Sequence, residues 1–378
     1  MSNMLNEILY LPELIGEQVV TLDKVVREVL SFREITSIKE IVFTGCGDSW
    51  FAGLGAERFF RKVCNIQTRA VRAMEASRYD LVDYQSAFPR NPLVLAISVS
   101  GRVIRTVEAL KVAQANDFLT IALVGDLESP LAKSADRIIP CKLKALPRSP
   151  GVASYRVSQL ALYLFGTHIA EVRRRISATE GNRLRDQLKS CADQVAWGIK
   201  ANADIAQELA TQMVNTKYYT FLGDGPHLAS AHFAAAKITE GVGYIAIPQE
   251  TEEWAHLQYF ENAFSEIPTF LITSKGRGYT RMLELLVPMK RIGRKIITVC
   301  ENSCEELVLQ SDYHLRVSEG VNPFFAPIVN PVGIELFTTH LSDMKRASYY
   351  RENIEGYPRY ANTIRDNQLL SKDEIEAL

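Results

Sequence analysis

The sequence predicts an α/β protein of two lobes, each built on a mainly parallel sheet with helices on both faces. Short, continuously apolar strand candidates alternate with helix candidates, which is typical of parallel sheets that are covered on both sides. The alternation stops over a long helical stretch at 154–215 and then starts again. In both halves the first strand candidate ends in glycine and small residues, FTGCGDS at 43–49 and FLGDGPH at 221–227.

Hydrophobic spacing and β-branched runs define the elements of the first half. Apolar residues such as Ile8, Leu11 and Ile15 recur at helical spacing near the start of the chain and predict a helical lead. The strand candidates after it are apolar and short, which predicts burial on both faces of a sheet. They are IVFTG at 41–45, LVLAIS at 93–98, FLTIALVG at 118–125 and RIIPC at 137–141, with helix candidates at 49–63 and 103–115.

The second half repeats the alternation. Its strand candidates are KYYTFLG at 217–223, GYIAI at 243–247, TFLIT at 269–273, KIITVC at 295–300 and YHLRV at 313–317, with a helix candidate at 227–240. The tail is rich in Tyr, Arg and Asn and has little apolar periodicity, so it either wraps over a domain or is partly disordered. The predicted organisation is therefore a helical lead, two domains and a tail, at 1–35, 36–200, 201–345 and 346–378.

Composition excludes several classes of function. The 43 Lys and Arg residues balance 44 Asp and Glu residues, which argues against nucleic-acid binding through bulk charge. Six cysteines without a Cys-x-x-Cys pair form neither a disulfide framework nor a zinc site. No apolar run approaches the ~20 residues of a membrane helix, and the N-terminus lacks a signal-peptide pattern. We therefore expect a cytoplasmic protein with no nucleic-acid or membrane partner.

Three glycine-containing turns at the ends of strands, each predicted to start a helix, are candidates for binding an anion. Backbone N–H groups and the helix dipole favour an anion at such a position, and serine hydroxyls add donors. The turns contain no P-loop or dinucleotide-binding pattern. Serine and glycine are also ordinary helix caps and turn formers, so this plainer interpretation stays open. The candidate binding residues in the turns are Cys46, Gly47, Ser49, Ser98, Ser100, Val152 and Ser154.

The segment at 234–260 carries the candidate acid–base residues. Lys237 and Glu240 are spaced i, i+3 on one helix candidate, as are Glu253 and His256 on the next. A carboxylate and an imidazole suit proton transfer near neutral pH. The alternative is a surface ion pair and a partly buried histidine. The spacing matches no metal motif, since H-E-x-x-H is absent, so we expect no metal ion.

Taken together, GCGDSWFAG, SVSG, GVAS and the Lys237–Glu240–His256 constellation resemble the tandem SIS (sugar isomerase) family. The chain is most similar in this respect to the isomerase portion of glutamine–fructose-6-phosphate amidotransferases and to fructosamine-phosphate deglycases. The resemblance implies two SIS-type lobes with a three-layer, flavodoxin-like αβα fold. It also implies that the serines of the three turns, with the Val152 backbone, bind a sugar phosphate.

The resemblance further implies catalytic roles. Glu240 would move a proton at C1 or C2, Lys237 would lie near the sugar, and Glu253 would belong to the substrate site. His256 would open the ring or protonate the leaving group in the site of the neighbouring subunit, so a homodimer is expected. No metal or organic cofactor would be needed.

Departures from the family pattern narrow the expected activity. The phosphate loop S-Q-S-G-E-T is here Ser98-Val-Ser-Gly-Arg-Val103, so Arg102 and Arg105 are expected to replace lost donors to a phosphate or another anion. The chain starts directly at the isomerase-like helix, so no glutaminase activity is expected. The C-terminal P-R-N-L-A-K is replaced by PRYANT at 358–363, which lacks the lysine that assists ring opening.

The resulting hypothesis is a phosphosugar isomerase or ketosamine-phosphate deglycase that transfers a proton between C1 and C2 of a six-carbon sugar phosphate or its amino derivative. The alternative is a sensor that binds a sugar phosphate without converting it. The absence of a basic DNA-binding segment and the presence of both Glu240 and His256 favour the enzyme. The turn SKGRGYT at 274–280 either contributes specificity or caps a helix.

Overall fold

The computed structural model describes residues 2–261, 267–357 and 369–377, which form two compact units with one five-stranded sheet each. The first-sheet unit comprises the described residues of Leu14–Ala145, Ala153–Lys189 and Pro358–Leu378. The second-sheet unit comprises those of Met1–Glu13, Leu146–Val152 and Ser190–Tyr357. Both units are discontinuous in sequence, whereas the predicted domains are continuous segments, because the helices Asn3–Val26 and Ala178–Gln212 each contribute residues to both units.

The first sheet is parallel throughout and has the strand order β2-β1-β3-β4-β5. Its strands are β1 (Glu40–Gly45), β2 (Gln67–Arg72), β3 (Arg90–Ile97), β4 (Phe118–Val124) and β5 (Arg137–Pro140). The helices up to the middle of the chain are α1 (Asn3–Val26), α2 (Phe32–Ser37), α3 (Asp48–Phe59), α4 (Ala73–Glu75), α5 (Ile104–Ala115), α6 (Pro130–Lys133), α7 (Ala153–Val172) and α8 (Ala178–Gln212), with π-helical turns at Phe60–Cys64 and Ala76–Asp80.

The second sheet has the equivalent order β7-β6-β8-β9-β10 and is also parallel. Its strands are β6 (Tyr218–Leu222), β7 (Ile245–Gln249), β8 (Pro268–Ile272), β9 (Lys295–Glu301) and β10 (Tyr313–Val317). The remaining helices are α9 (Pro226–Gly241), α10 (Thr251–His256), α11 (Tyr279–Arg291), α12 (Glu305–Gln310), α13 (Ala326–Val329), α14 (Val332–Met344) and, in the first-sheet unit, α15 (Lys372–Glu376), with 3-10 turns at Gln258–Phe260 and Tyr349–Arg351.

The order 2-1-3-4-5 in both sheets confirms the predicted α/β, flavodoxin-like fold. Strand β2 was not predicted, because as an edge strand it carries the polar sequence QTRAVR instead of an apolar run. The central strands β3 and β4 are buried along almost their whole length, which explains why hydrophobicity alone identified them. The long helical stretch predicted at 154–215 is two helices, α7 and α8.

The turn between the first strand and first helix has the same backbone conformation in both units. Gly47 (φ 53°, ψ −128°) caps α3, and Gly225 (φ 56°, ψ −128°) caps α9. Both have positive φ, which glycine adopts without steric cost. The sequence similarity of 43–49 and 221–227 therefore reflects a repeated structural unit.

The described part of the predicted tail lies in both units. Residues 346–357 belong to the second-sheet unit, whereas 369–377 belong to the first-sheet unit. There Ile375 enters the core beside α5, and the Leu370 N–H donates to the buried Glu108 carboxylate at 3.3 Å. The motif PRYANT at 358–363 lies outside the described residues.

Candidate functional site

The strand order of each sheet indicates where a ligand would bind. In parallel α/β sheets, ligands bind outside the carboxyl ends of the strands, where the strand order reverses. This switch point lies between β1 and β3 in the first sheet and between β6 and β8 in the second. The turns at 46–49 and 98–103 follow β1 and β3 directly. Two of the three predicted anion-binding turns therefore lie on neighbouring strands at the switch point.

The turn after β3 keeps two serine hydroxyls available as donors. Ser98 is 3% exposed, and its Oγ accepts a hydrogen bond from the Gly101 N–H at 3.2 Å. Ser100 Oγ accepts from the Arg102 N–H at 3.4 Å. A hydroxyl oxygen that accepts a bond still has its O–H to donate. Gly101 has φ 64°, so the turn requires the left-handed conformation at this position.

The turn after β1 presents residues at the start of a 12-residue helix, α3. Cys46 is exposed, and its carbonyl accepts the Ser49 N–H at 3.2 Å. Gly47 follows as the helix cap. No hydrogen bond within the described residues uses Ser49 Oγ, so this hydroxyl can donate to an anion held at the positive end of the α3 dipole.

The two arginines expected to replace lost phosphate donors are paired with carboxylates. Arg102 Nη2 lies 2.7 Å from Asp126 Oδ2, and the arginine side chain is 65% exposed. Arg105 Nη1 lies 2.6 Å from Glu108 Oε2, and that carboxylate is fully buried. An anion would have to compete with these carboxylates, and a ligand role for either arginine stays a prediction.

The third turn, Gly151–Ser154, does not follow a strand directly, which corrects the sequence interpretation. β5 ends at Pro140, and residues 141–152 form an irregular segment before α7. Two prolines in LPRSPG explain why neither helix nor strand continues there. Val152 is buried and its N–H donates to Glu7, whereas Ser154 lies in the first turn of α7.

Lys237 and Glu240 form a tight ion pair in the second-sheet unit. Both lie on α9, and Lys237 Nζ is 2.6 Å from Glu240 Oε2. The lysine side chain is fully buried and its ammonium lies 4.7 Å from the centre of the Phe233 ring, whereas Glu240 is 31% exposed. The alternative interpretation as a surface pair is therefore wrong. The arrangement holds one carboxylate oxygen in place while part of the group remains open to solvent.

His256 pairs with a different glutamate from the one predicted. Its Nε2 lies 3.4 Å from Glu252 Oε1, one helical turn away on α10. Glu252 also binds Arg281 Nε at 2.5 Å, and this bond lowers the pKa of the Glu252 carboxyl. His256 is 64% exposed, not partly buried, and Glu253 is exposed too. Their assigned roles in a neighbouring subunit's site and in substrate binding stay predictions.

Sequence reasoning missed a group of residues around the segment 149–152. The Glu7 carboxylate accepts from Ser149 Oγ at 2.5 Å and from the Val152 N–H at 3.0 Å. Tyr350 donates its O–H to the Ser149 carbonyl at 2.9 Å. The available signal was Glu7 itself, because a carboxylate on the buried apolar face of α1 needs hydrogen-bonding partners.

Comparison with known proteins identifies the first half of the chain. Residues 34–168 match the SIS domain family, a range that contains all five strands of the first sheet. This segment is a SIS domain. The second sheet has the same strand order and fits a second SIS-type lobe, so the resemblance to tandem SIS proteins is confirmed.

The chain is similar to curated proteins that are about twice as long. It is 24% identical over 344 residues to a glutamine–fructose-6-phosphate aminotransferase (isomerizing) of Thermococcus kodakarensis, covering 90% of this chain and 55% of that protein. The corresponding Zymomonas mobilis protein is 24% identical over 319 residues, covering 82% and 50%. The chain thus spans about half the length of the curated relatives it matches.

Solved structures support the same fold. The C-terminal domain of glucosamine-fructose-6-phosphate aminotransferase from Francisella tularensis superimposes with a TM-score of 0.82 at 19% identity, covering 92% of this chain and 98% of that one. Glucosamine-6-phosphate deaminase from Thermotoga maritima superimposes with a TM-score of 0.64 at 18% identity, covering 92% and 96%. At these identities the likeness establishes the fold of the two SIS-type lobes and not their chemistry.

The second SIS-type lobe carries a buried histidine where the SIS domain carries Ser49. His227 occupies the same place after the glycine turn and is 6% exposed, and its Nε2 lies 3.1 Å from Ser274 Oγ, two residues beyond the end of β8. Its Nδ1 lies 3.2 Å from the Asn330 amide nitrogen. Burial lowers the pKa of His227 to about 4, so the ring is neutral near pH 7. The contact with Ser274 links His227 to the turn at 274–280. A buried, neutral histidine in such a contact has a structural role.

Acidification is expected to destabilise the second SIS-type lobe through His227. Because its pKa falls from 6.5 to about 4 on folding, the unfolded chain binds more protons between these pH values. Stability is therefore lost as pH falls through this window, by up to about 3 kcal/mol. Thermal unfolding of wild type and His227→Gln from pH 4 to 7.5 tests this. The stability of the variant should depend less steeply on pH than that of wild type. The measurements near pH 7.5 serve as the internal control, and an equal pH dependence of stability in both proteins would contradict the expectation.

The part of the chain that the structure describes holds neither a candidate metal cluster nor a helix able to cross a membrane. Within 2–261, 267–357 and 369–377, no group of three His, Cys, Asp or Glu side chains is placed to hold a metal ion. Over the same ranges, no helix combines the length and the apolar character needed to cross a bilayer.

Proposed function

We propose that the chain is a sugar-phosphate isomerase or ketosamine-phosphate deglycase that transfers a proton between C1 and C2. The observation that carries this proposal is the Lys237–Glu240 pair, a buried ammonium that holds a partly exposed carboxylate at 2.6 Å. A protein that only binds its ligand has no need for both this carboxylate and His256. The hydroxyl-bearing turns of the SIS domain support the substrate class, and so do the activities for which similar proteins are named, an isomerizing aminotransferase and a deaminase of sugar phosphates.

In the proposed mechanism, Ser49, Ser98 and Ser100 bind the phosphate through their hydroxyls and neighbouring backbone N–H groups. Glu240 takes a proton from the carbon next to the carbonyl or iminium carbon, which leaves an enediolate or an enolamine. It then returns the proton to the former carbonyl carbon, while the hydroxyl proton on the neighbouring carbon moves to the former carbonyl oxygen, so the carboxylate is regenerated and the sugar is isomerised. If C1 or C2 carries an amine, hydrolysis with water releases the free sugar and the amine.

His256 is proposed as the acid that protonates the ring oxygen or the leaving amine. Its exposure of 64% and its position beside Glu252 fit a group that acts on a surface outside its own helix. We propose a homodimer in which each His256 serves the neighbouring subunit's site. Measuring the mass in solution and mixing Glu240→Gln with His256→Ala chains tests this arrangement, because only complementing subunits in a dimer restore turnover.

The substrate proposal is tested by incubating the chain with aldose, ketose and fructosamine phosphates and following products by NMR. Conversion of one substrate supports the enzyme and separates isomerisation from amine release. Binding without conversion across the panel would favour the sensor, and neither binding nor conversion would contradict both.

Ser98→Ala is expected to weaken sugar-phosphate binding about tenfold, because one charge-assisted hydrogen bond to the phosphate is lost. Isothermal titration calorimetry measures the change in Kd. The matched control is Ser134→Ala, whose hydroxyl donates to the Pro130 carbonyl and which belongs to neither the turn after β1 nor the turn after β3. Unchanged affinity for Ser98→Ala would remove the turn after β3 from the proposed site.

A further inference from the structure

One peptide group in the second-sheet unit is hydrogen-bonded by charged side chains at both ends. Lys237 Nζ donates to the Gly151 carbonyl at 3.3 Å, and the Val152 N–H donates to Glu7 Oε2 at 3.0 Å. The Gly151 carbonyl and the Val152 N–H belong to the same planar peptide group. Since the ammonium also donates to Glu240, a continuous chain of hydrogen bonds joins the two carboxylates.

The charges along this chain match the dipole of the peptide group. The carboxylate of Glu7 faces the positive N–H end, and the ammonium of Lys237 faces the negative carbonyl end. Glu7 is 7% exposed and Lys237 is fully buried, so water screens these interactions little. In such surroundings, hydrogen bonds strengthen one another along a chain.

Further contacts hold the Glu7 carboxylate in place beside the segment 149–152. Its second oxygen, Oε1, accepts from Ser149 Oγ at 2.5 Å, so both carboxylate oxygens bind the segment 149–152. Glu7 lies on the same face of α1 as the fully buried Met4 and Leu11. Burying a charge there is costly unless it is compensated, and the bonds to 149–152 provide the compensation.

We propose that Glu7 is a positioning residue for Glu240, acting through the Gly151–Val152 peptide and Lys237. We call this chain of hydrogen bonds, from Glu7 through the peptide group and Lys237 to Glu240, the relay. The relay holds the ammonium of Lys237 in place, and the ammonium binds Oε2 of Glu240. Oε1 of Glu240 has no bond to any described residue, and we assign proton transfer to that oxygen. This inference rests on the proposed function of Glu240, although the relay itself can be measured without turnover.

The first test is a double-mutant cycle on unfolding. Glu7→Gln, Lys237→Met and the double variant are compared with wild type by denaturant unfolding of the full chain. Glutamine can still accept from the Val152 N–H and bond to Ser149, so this change removes mainly the charge. If the relay couples Glu7 to Lys237, the double variant departs from additivity by at least about threefold in the unfolding constant.

The control cycle pairs Lys237→Met with Glu17→Gln, the same charge change at an exposed position of α1. These two changes should be additive. Additivity of Glu7→Gln with Lys237→Met would overturn the relay, whatever the enzyme's activity.

The second test separates positioning from simple structural support. With the substrate found in the panel above, Glu7→Gln should lower kcat about tenfold and leave KM within twofold, whereas Glu7→Asp should recover part of the loss by restoring the charge. A rise in KM with kcat unchanged would overturn the positioning role. If wild type converts no substrate, the proposed function fails, and the unfolding cycle still decides the relay.

Discussion

Replacing Glu240 by Gln is expected to reduce turnover at least ~1000-fold while leaving ligand affinity within about threefold. The carboxylate supplies general-base catalysis, which contributes ~100- to 10,000-fold in enzymes, and an amide cannot accept the proton. Glutamine retains an oxygen that can accept from Lys237, so the buried ammonium keeps a partner. The measurement is kcat by NMR together with Kd by calorimetry on the same preparation.

The matched control for this variant is Glu305→Gln at the exposed start of α12. It makes the same chemical change in the second-sheet unit, away from α9, and should retain wild-type kcat. Full activity of Glu240→Gln would refute proton transfer by this residue. Loss of both turnover and binding, with an unchanged melting temperature, would instead assign Glu240 to substrate binding.

Gly101→Ala is expected to abolish detectable sugar-phosphate binding and to destabilise the chain by about 3 kcal/mol. Gly101 has φ 64°, and a Cβ added there would come 2.0 Å from Ser129 Oγ and 2.7 Å from a methyl group of Val124. The left-handed backbone and the overpacking each cost about 1–3 kcal/mol. Because the Gly101 N–H binds Ser98, any relief of the clash displaces that hydroxyl.

Gly320→Ala is the control that measures the cost of the left-handed backbone conformation without a steric clash. Gly320 has φ 73°, but a Cβ added there meets no atom within 4 Å. This variant should lose only about 1 kcal/mol and bind the ligand normally. Thermal unfolding and calorimetry compare the two, and equal effects would contradict the role of close packing around Gly101.

The candidate site shows where local sequence patterns are informative. The i, i+3 spacing of Lys237 and Glu240 correctly placed them together, because helical spacing fixes which side chains are neighbours. The same rule gave the wrong partner for His256, because it allows a pair with Glu252 at i−4 as well as with Glu253 at i−3. The choice between two such neighbours depends on their other partners, and Arg281 on another helix holds Glu252 in place.

Local sequence patterns predicted the burial and the partners of charged side chains poorly. The Lys237–Glu240 spacing is equally compatible with a solvated surface pair, yet Lys237 is fully enclosed. Conversely, Arg102 looked like a free anion donor but is paired with Asp126, 24 residues away. Both outcomes depend on residues distant in the sequence, whose positions spacing rules do not define.

The sequence by itself determined the α/β class, the repeat and the glycine turns, because apolar strand runs and positive-φ glycines are local requirements of the backbone. The tertiary structure decided the partners of the charged groups. Glu7 lies more than 140 residues before Val152, and Lys237 lies 86 residues after Gly151, yet both bind one peptide group. Such pairing follows from how helices pack, and only the folded chain brings these charges into one low-dielectric environment.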